Sequence, residues 1–153
     1  MPNKILYDAT PTMAALILGA ATAPTAKGLA NNGKKLANEF DNAAGLNQYG
    51  VAELYVRGAS AFTAGGYVEL YLIPAADGTN YSDGSDSVAP PLSCLAGNFP
   101  VLAVSTQQRL TLWGLVLPPL KFKFLIINKT GQAFTGTDDE NILKFGAYSD
   151  EVQ

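Results

Sequence analysis

From Tyr49 onward, apolar and polar residues alternate with a period of two, and no feature of the chain constrains its fold more. A period of two sends successive side chains to opposite faces of a strand, whereas a helix needs a period of 3.6. In residues 51–57, Ala52, Leu54 and Val56 share one face while Glu53, Tyr55 and Arg57 share the other. Residues 67–73 repeat the pattern with Val68, Leu70 and Leu72 inward. Residues 58–66 lie between these runs and supply turn-forming residues. The two strands are therefore expected to pair as an antiparallel hairpin with a loop longer than the tightest turns. Further strands are predicted at 99–105, 109–117, 121–128 and 142–148. Pro118-Pro119 breaks the chain between two of them, and Asn128-Lys129-Thr130-Gly131 reads as a turn. Phe122, Phe124 and Ile126 alternate with Lys121, Lys123 and Leu125, which predicts one dry and one wet face. Short strands at this spacing, without a long amphipathic helix, predict an all-β chain: an antiparallel β-sandwich, jelly-roll-like.

Composition changes near residue 49. Before it Ala, Gly, Asn and Thr dominate, and Phe40 is the only aromatic after Tyr7. Side chains this small bury little area by themselves, so the segment needs something else to lie on. The chain is thus expected to divide into an extended Ala/Gly-rich N-terminal arm with edge strands over 1–48 and a sandwich body over 49–153. Strands are predicted at 14–20 and 36–42, with a short helix over 34–40 as the competing reading. The larger apolar side chains of the arm, Leu16, Ile17, Leu18, Leu36 and Phe40, are its candidate contacts with other subunits.

Hydrophobic residues make up 48% of the 153 and charged residues 15%, against about 25% charged in an average soluble domain. A surface thin in charge is poorly protected against association, so burial against partners is expected. Ten basic and thirteen acidic residues give a net charge of −3. No Lys/Arg cluster forms a stripe that would neutralise successive phosphates, which argues against a nucleic-acid partner. The single Cys94 forms no internal disulfide and is expected to be a buried, inert thiol. The apolar run 13–21, followed by Thr22-Ala23-Pro24-Thr25-Ala26, superficially resembles a signal-peptide core. Asp8 and Pro11 interrupt the leader of which this run would be the core, and Lys4 is that leader's only basic side chain. The run is also far shorter than the roughly 20 residues that span a bilayer. The expectation is a soluble protein, not secreted by this route and without a membrane partner.

Histidine is absent, which removes the commonest general base and the commonest transition-metal ligand. Ser-His and Cys-His nucleophiles are thereby excluded, and neither a phosphate-binding Gly loop nor a dinucleotide fingerprint is present. The twin segments Glu53-Leu54-Tyr55 and Glu69-Leu70-Tyr71 would, on a hairpin, put two carboxylates and two tyrosines on one face. A glycosidase needs such carboxylates about 5–10 Å apart across a cleft. A solvated or subunit-facing surface is the favoured reading, and Glu53, Tyr55, Glu69 and Tyr71 are candidates for surface binding. Asp77, Asp83 and Asp86 stand among oxygen-bearing side chains, which suits Ca²⁺. Their spacing does not match the EF-hand loop and no Glu closes the site, so a metal-free Asx-rich turn is favoured and no cofactor is expected. Trp113, beside Leu112 and Leu115, suits core or interface packing, with a sugar-stacking platform as the alternative. Asn128-Lys129-Thr130 matches the glycosylation pattern, which carries little weight without a secretory signal.

Residues 67–152 resemble small virion structural proteins of tailed bacteriophages. The resemblance is carried by Val68-Glu69-Leu70-Tyr71-Leu72, Asp77-Gly78-Thr79-Asn80-Tyr81 with its acidic continuation, Phe99-Pro100-Val101, Leu117-Pro118-Pro119, and the run from Phe122 through Gly131. It implies a β-sandwich on the outside of a capsid, a decoration or cement protein, often a homotrimer at a symmetry axis. The implied partner is the major capsid protein, and the implied location is the capsid surface of a virion made in the host cytoplasm. On this expectation the chain bridges capsid subunits without chemistry of its own, and the arm lies across neighbours. The alternative is a carbohydrate-binding module on the virion head or tail, using Tyr55, Tyr71 and Trp113. A glycosidase using Glu53 and Glu69 is the third reading.

Overall fold

The structure is a computed structural model that describes residues 5–7, 13–17 and 24–152. In these residues the alternating segments form strands and there is no α-helix, only a 3-10 turn at Leu92–Cys94. The strands are β1 (Ile5–Tyr7), β2 (Ala14–Ile17), β3 (Lys34–Asp41), β4 (Tyr49–Val56), β5 (Tyr67–Pro74), β6 (Leu95–Pro100), β7 (Gln108–Val116), β8 (Lys121–Lys129), β9 (Ile142–Tyr148) and β10 (Asp150–Val152). Two four-stranded antiparallel sheets form the body, a first sheet ordered β2-β9-β4-β7 and a second ordered β3-β8-β5-β6. A separate ribbon pairs β1 with β10. The pairs β2/β9, β3/β8, β4/β7 and β5/β6 nest like one long hairpin whose successive rungs fall alternately into the two sheets. This is the strand order of a jelly roll, an arrangement of two Greek keys in a β-sandwich.

The expected β4–β5 hairpin does not form. β4 lies between β9 and β7 in the first sheet, and β5 lies between β8 and β6 in the second. Residues 57–66 are anchored too firmly to act as a simple turn. Phe62 is 3% exposed and meets Phe134 edge-on at 6.3 Å. The backbone N–H groups of Ala59 and Thr63 donate to Ala133 and Thr130. The connection thus crosses the end of the sandwich, plugging the core as it goes.

Two other expectations shift. The strand predicted at 99–105 is β6, Leu95–Pro100, and the chain after Pro100 crosses back to β7. Gln108 closes that crossing by accepting the Leu102 N–H at 2.8 Å and donating to the Leu102 carbonyl at 3.0 Å. Residues 34–41 adopt the strand reading and not the helix. They pair with β8 through a register shift between Leu36 and Glu39.

Between the sheets lie Ala52, Leu54 and Val56 of β4, Val68 and Leu70 of β5, Phe122, Phe124 and Ile126 of β8, and Leu143 and Phe145 of β9. The alternation that marked these strands is the alternation of core and outer face. Phe145 packs against Phe40, Phe122 and Phe124, with ring centroids 4.9, 5.8 and 5.0 Å away. Gly50 makes room for that ring, since a Cβ there would lie 2.4 Å from Phe145 Cε2.

The outer face of the second sheet is not the wet face expected from β8. Leu125 and Ile127 are buried there with Tyr71 and Ile73, and Leu36, Tyr81 and Cys94 pack against them. The cover is the connection from β5 to β6, a strap laid across the sheet. Asp86 fastens it to β3, accepting Lys35 Nζ at 2.6 Å and the Leu36 N–H at 2.7 Å. The Tyr81 hydroxyl bonds Glu39 of the same strand, and Lys123 Nζ sits 4.2 Å from the Tyr81 ring centroid. Burial, then the Glu39 carboxylate, pushes the Tyr81 hydroxyl up to about 12.

At the end of β8, Asn128 is fully buried. Its amide donates to the carbonyls of Leu29, Ala30 and Gln132, and its Oδ1 accepts from the Thr130 N–H and hydroxyl. The residue that matched a glycosylation pattern is a structural hub, closed to modification in the folded chain.

Candidate functional site

β6 and β7 are each the outermost strand of their sheet. They run side by side along one border of the sandwich, and a groove of about 700 Å³ opens between them. Its walls include Leu72, Leu95, Ala96, Trp113, Val116 and Pro118, and no charged residue lines it. The register of β7 on β4 shifts so that Trp113 and Gly114 together face Val51. Gly114 takes a φ of 68°, the left-handed conformation that a β-bulge places on glycine. The bulge turns the strand so that Trp113 is 70% and Val116 76% exposed, and Leu92, next in sequence to the lining residue Ser93, is 78% exposed. The border of the sandwich thus carries apolar side chains that the described residues leave uncovered.

A second cluster occupies the outer face of the first sheet. Leu110, Leu112 and Leu115 of β7 pack toward the core, so Arg109, Thr111 and Trp113 face solvent. Register sets Arg109 opposite Tyr55 and Thr111 opposite Glu53, while Lys144 of β9 stands opposite Glu53 from the other side. Arg109 donates to Glu53 Oε2 from Nε at 2.7 Å and from Nη2 at 2.6 Å. Its Cζ lies 5.6 Å from the Tyr55 ring centroid, and Lys144 Nζ lies 4.7 Å from it. Tyr55 therefore stands between two cations. Burial raises the Glu53 carboxyl, but the hydrogen bond and charge of Arg109 outweigh it and hold the group below its ordinary value.

The residues expected to share a face are separated. Glu53 and Tyr55 lie on the outer face of the first sheet, whereas Glu69 and Tyr71 belong to the outer side of the second. Tyr71 is 4% exposed and donates its hydroxyl to Glu69 at 3.2 Å. Burial, then the Glu69 charge, raises that hydroxyl. The two carboxylates share no cleft, because β4 and β5 carry them on opposite sides of the sandwich. Asp77 closes a turn on the Thr79 and Asn80 N–H groups, and Asp86 is engaged by β3. Among the described residues, no group of three or more Asp, Glu, Cys or His side chains is placed to hold a metal ion.

Leu16 is 6% exposed in the core, Phe40 packs against Phe122 and edge-to-face with Phe145, and Leu36 packs beneath the strap. These three side chains, expected to contact other subunits, are used within the chain. Ile17 stands in β2, and Leu18 lies outside the described residues. Cys94 is half-buried. Arg109, Lys144, Leu92 and Val116 were not singled out from the sequence. Alternation was the only signal for Arg109, Lys144 and Val116, Leu92 had none, and their grouping depends on strand order.

No protein-family profile and no curated protein sequence matches the chain. Among solved structures, it is similar at 17% identity to a glycoside hydrolase family 43 arabinoxylan arabinofuranohydrolase from Bacillus subtilis in complex with cellotetraose. The TM-score is 0.33, and the match covers 99% of this chain and 28% of that one. A likeness at this level carries no argument about activity. Among the described residues, no helix is long and apolar enough to cross a membrane.

Proposed function

We propose that this chain is a virion structural protein that decorates a bacteriophage capsid and stabilises it by bridging capsid subunits, as a homo-oligomer and without catalysing a reaction. The observation that carries the reading is the uncharged groove between β6 and β7, lined by Leu95 and Val116, with the exposed Leu92 just before its lining residue Ser93. Solvent-exposed apolar side chains along two sheet edges suit lasting burial against the major capsid protein or a second copy. The sandwich supports the same role, since its core is closed and the strap covers one face. A charged content of 15% weakens the repulsion that keeps monomers apart.

The test is a mass-spectrometric inventory of purified particles, combined with the double variant Leu92→Glu/Val116→Glu. Hundreds of copies per virion are expected for the unaltered chain. The variant is expected to keep its thermal midpoint but fail to join particles, whose heads then lose resistance to heat. Absence of the protein from virions, or equal incorporation of the variant, would sink the reading.

A further inference from the structure

Glu53 and Trp113 lie on the same solvent face of the first sheet, and what stands around them is arranged like a binding platform. The Glu53 side chain is 9% exposed while that of Arg109 is 66% exposed. The buried carboxylate therefore fixes the guanidinium from below, using Nε and Nη2, and leaves the remaining N–H donors directed outward. Lys144 flanks the other side of Tyr55. Among the described residues its ammonium is in none of the five ion pairs. Trp113 lies four positions along β7 from Arg109, about 13 Å at the rise of a strand.

We propose that this face binds an acidic saccharide, with a sugar ring stacked on Trp113 and a uronate carboxylate held by Lys144 and Arg109 beside Tyr55. Charge complementarity selects the ligand. The chain carries −3 overall, yet the cations Arg109 and Lys144 converge here with one carboxylate, Glu53, which is spent on Arg109. The exposed indole offers a flat apolar surface for the C–H face of a sugar. A preset guanidinium and the Lys144 ammonium provide charge-assisted donors for a carboxylate. The ~13 Å between the cations and the indole fits an oligosaccharide better than a single sugar. Thr111 stands between them and adds a hydroxyl. Trp113 also lines the groove proposed for capsid contact, whereas Arg109 and Lys144 do not, so Lys144→Gln tests this face without altering that groove.

The experiment is calorimetric titration of the full chain with a galacturonate hexasaccharide. Maltohexaose serves as the neutral comparator, and acetate at matched carboxylate concentration serves as the simple anion. The uronate oligomer is expected to bind, to weaken as salt rises, and to outbind both comparators. Lys144→Gln and Trp113→Ala are each expected to reduce its affinity at least tenfold with an unchanged thermal midpoint, whereas Lys129→Gln on β8 of the second sheet leaves it unaltered. No binding, equal binding of maltohexaose, or full displacement by acetate would overturn the proposal. So would affinity indifferent to Lys144 and Trp113. A Trp113→Ala variant that changes only the sedimentation of the protein would assign the face to contacts between copies instead.

Discussion

Asp86 Oδ1 accepts the backbone N–H of Leu36 at 2.7 Å, across 50 residues of sequence. An edge strand normally leaves such groups open to pairing with another chain. Here a carboxylate caps one of them and ties the strap over the second sheet. Asp86→Ala is expected to speed amide exchange at Leu36, Leu125 and Ile127 while lowering global stability by less than ~1 kcal/mol, because the ion pair is half-exposed. Burial raises the Asp86 carboxyl, but Lys35 and the Leu36 N–H outweigh it and hold it below its ordinary value. Its contribution is therefore complete above the unfolded pKa of about 3.9 and is lost as pH falls through the lower folded value. Urea midpoints of the wild type and Asp86→Asn should differ at pH 7 and converge in acid.

Gly50→Ala tests the packing of the first sheet against the aromatic core. The new methyl would meet Phe145 Cε2 at 2.4 Å and Leu117 Cδ2 at 3.2 Å. A stability loss of about 1–3 kcal/mol is expected from overpacking, read from chemical denaturation. A neutral result would mean that the Phe145 ring moves freely.

Asn128→Ala removes the amide that donates to three carbonyls and the oxygen that serves Thr130. Each buried group left unpaired costs ~1–3 kcal/mol, so a loss above about 2 kcal/mol is expected. Asn128→Asp should also destabilise, because a carboxylate has nothing to donate to those carbonyls. Urea unfolding of both variants checks this.

Asp77 offers a local titration. Hydrogen bonds from the Asn80 backbone and side chain and the Thr79 backbone lower its carboxyl to about 2. The turn it closes is stabilised above the unfolded pKa of about 3.9, and that contribution disappears as pH falls through the folded value. Carboxyl-detected NMR should place its midpoint near 2, and Asp77→Ala should abolish protection of the Thr79 and Asn80 amides.

Period-two patterning made the sandwich legible, because core-facing positions such as Leu54, Val68 and Phe124 are apolar wherever the pleat turns inward. The same pattern is silent on which strand lies beside which. β4 and β5 looked like hairpin partners because they are consecutive and alike, but the anchoring of Phe62 against Phe134 is a contact between distant residues. The dry outer face of β8 was hidden for a related reason. Leu125 and Ile127 read as ordinary alternation until the strap from another part of the chain covers them. The Glu53, Tyr55, Arg109 and Lys144 cluster comes from three strands and exists only through register. The groove beside it depends on a bulge whose single local sign is Gly114.

The place of β9 between β2 and β4 carries a consequence for how the protein is made. Emerging from the ribosome, β2 and β4 must both wait for residues 142–148 before either gains that neighbour. Until then Leu16, Ala52 and Leu54 have no Leu143 or Phe145 to close over them. Such dependence on distant pairing makes folding slow and leaves nascent chains prone to stick. A shortened translation product ending before Ile142 would lack a finished first sheet, so only polypeptides carried through β9 can close the core over Leu16 and Leu54.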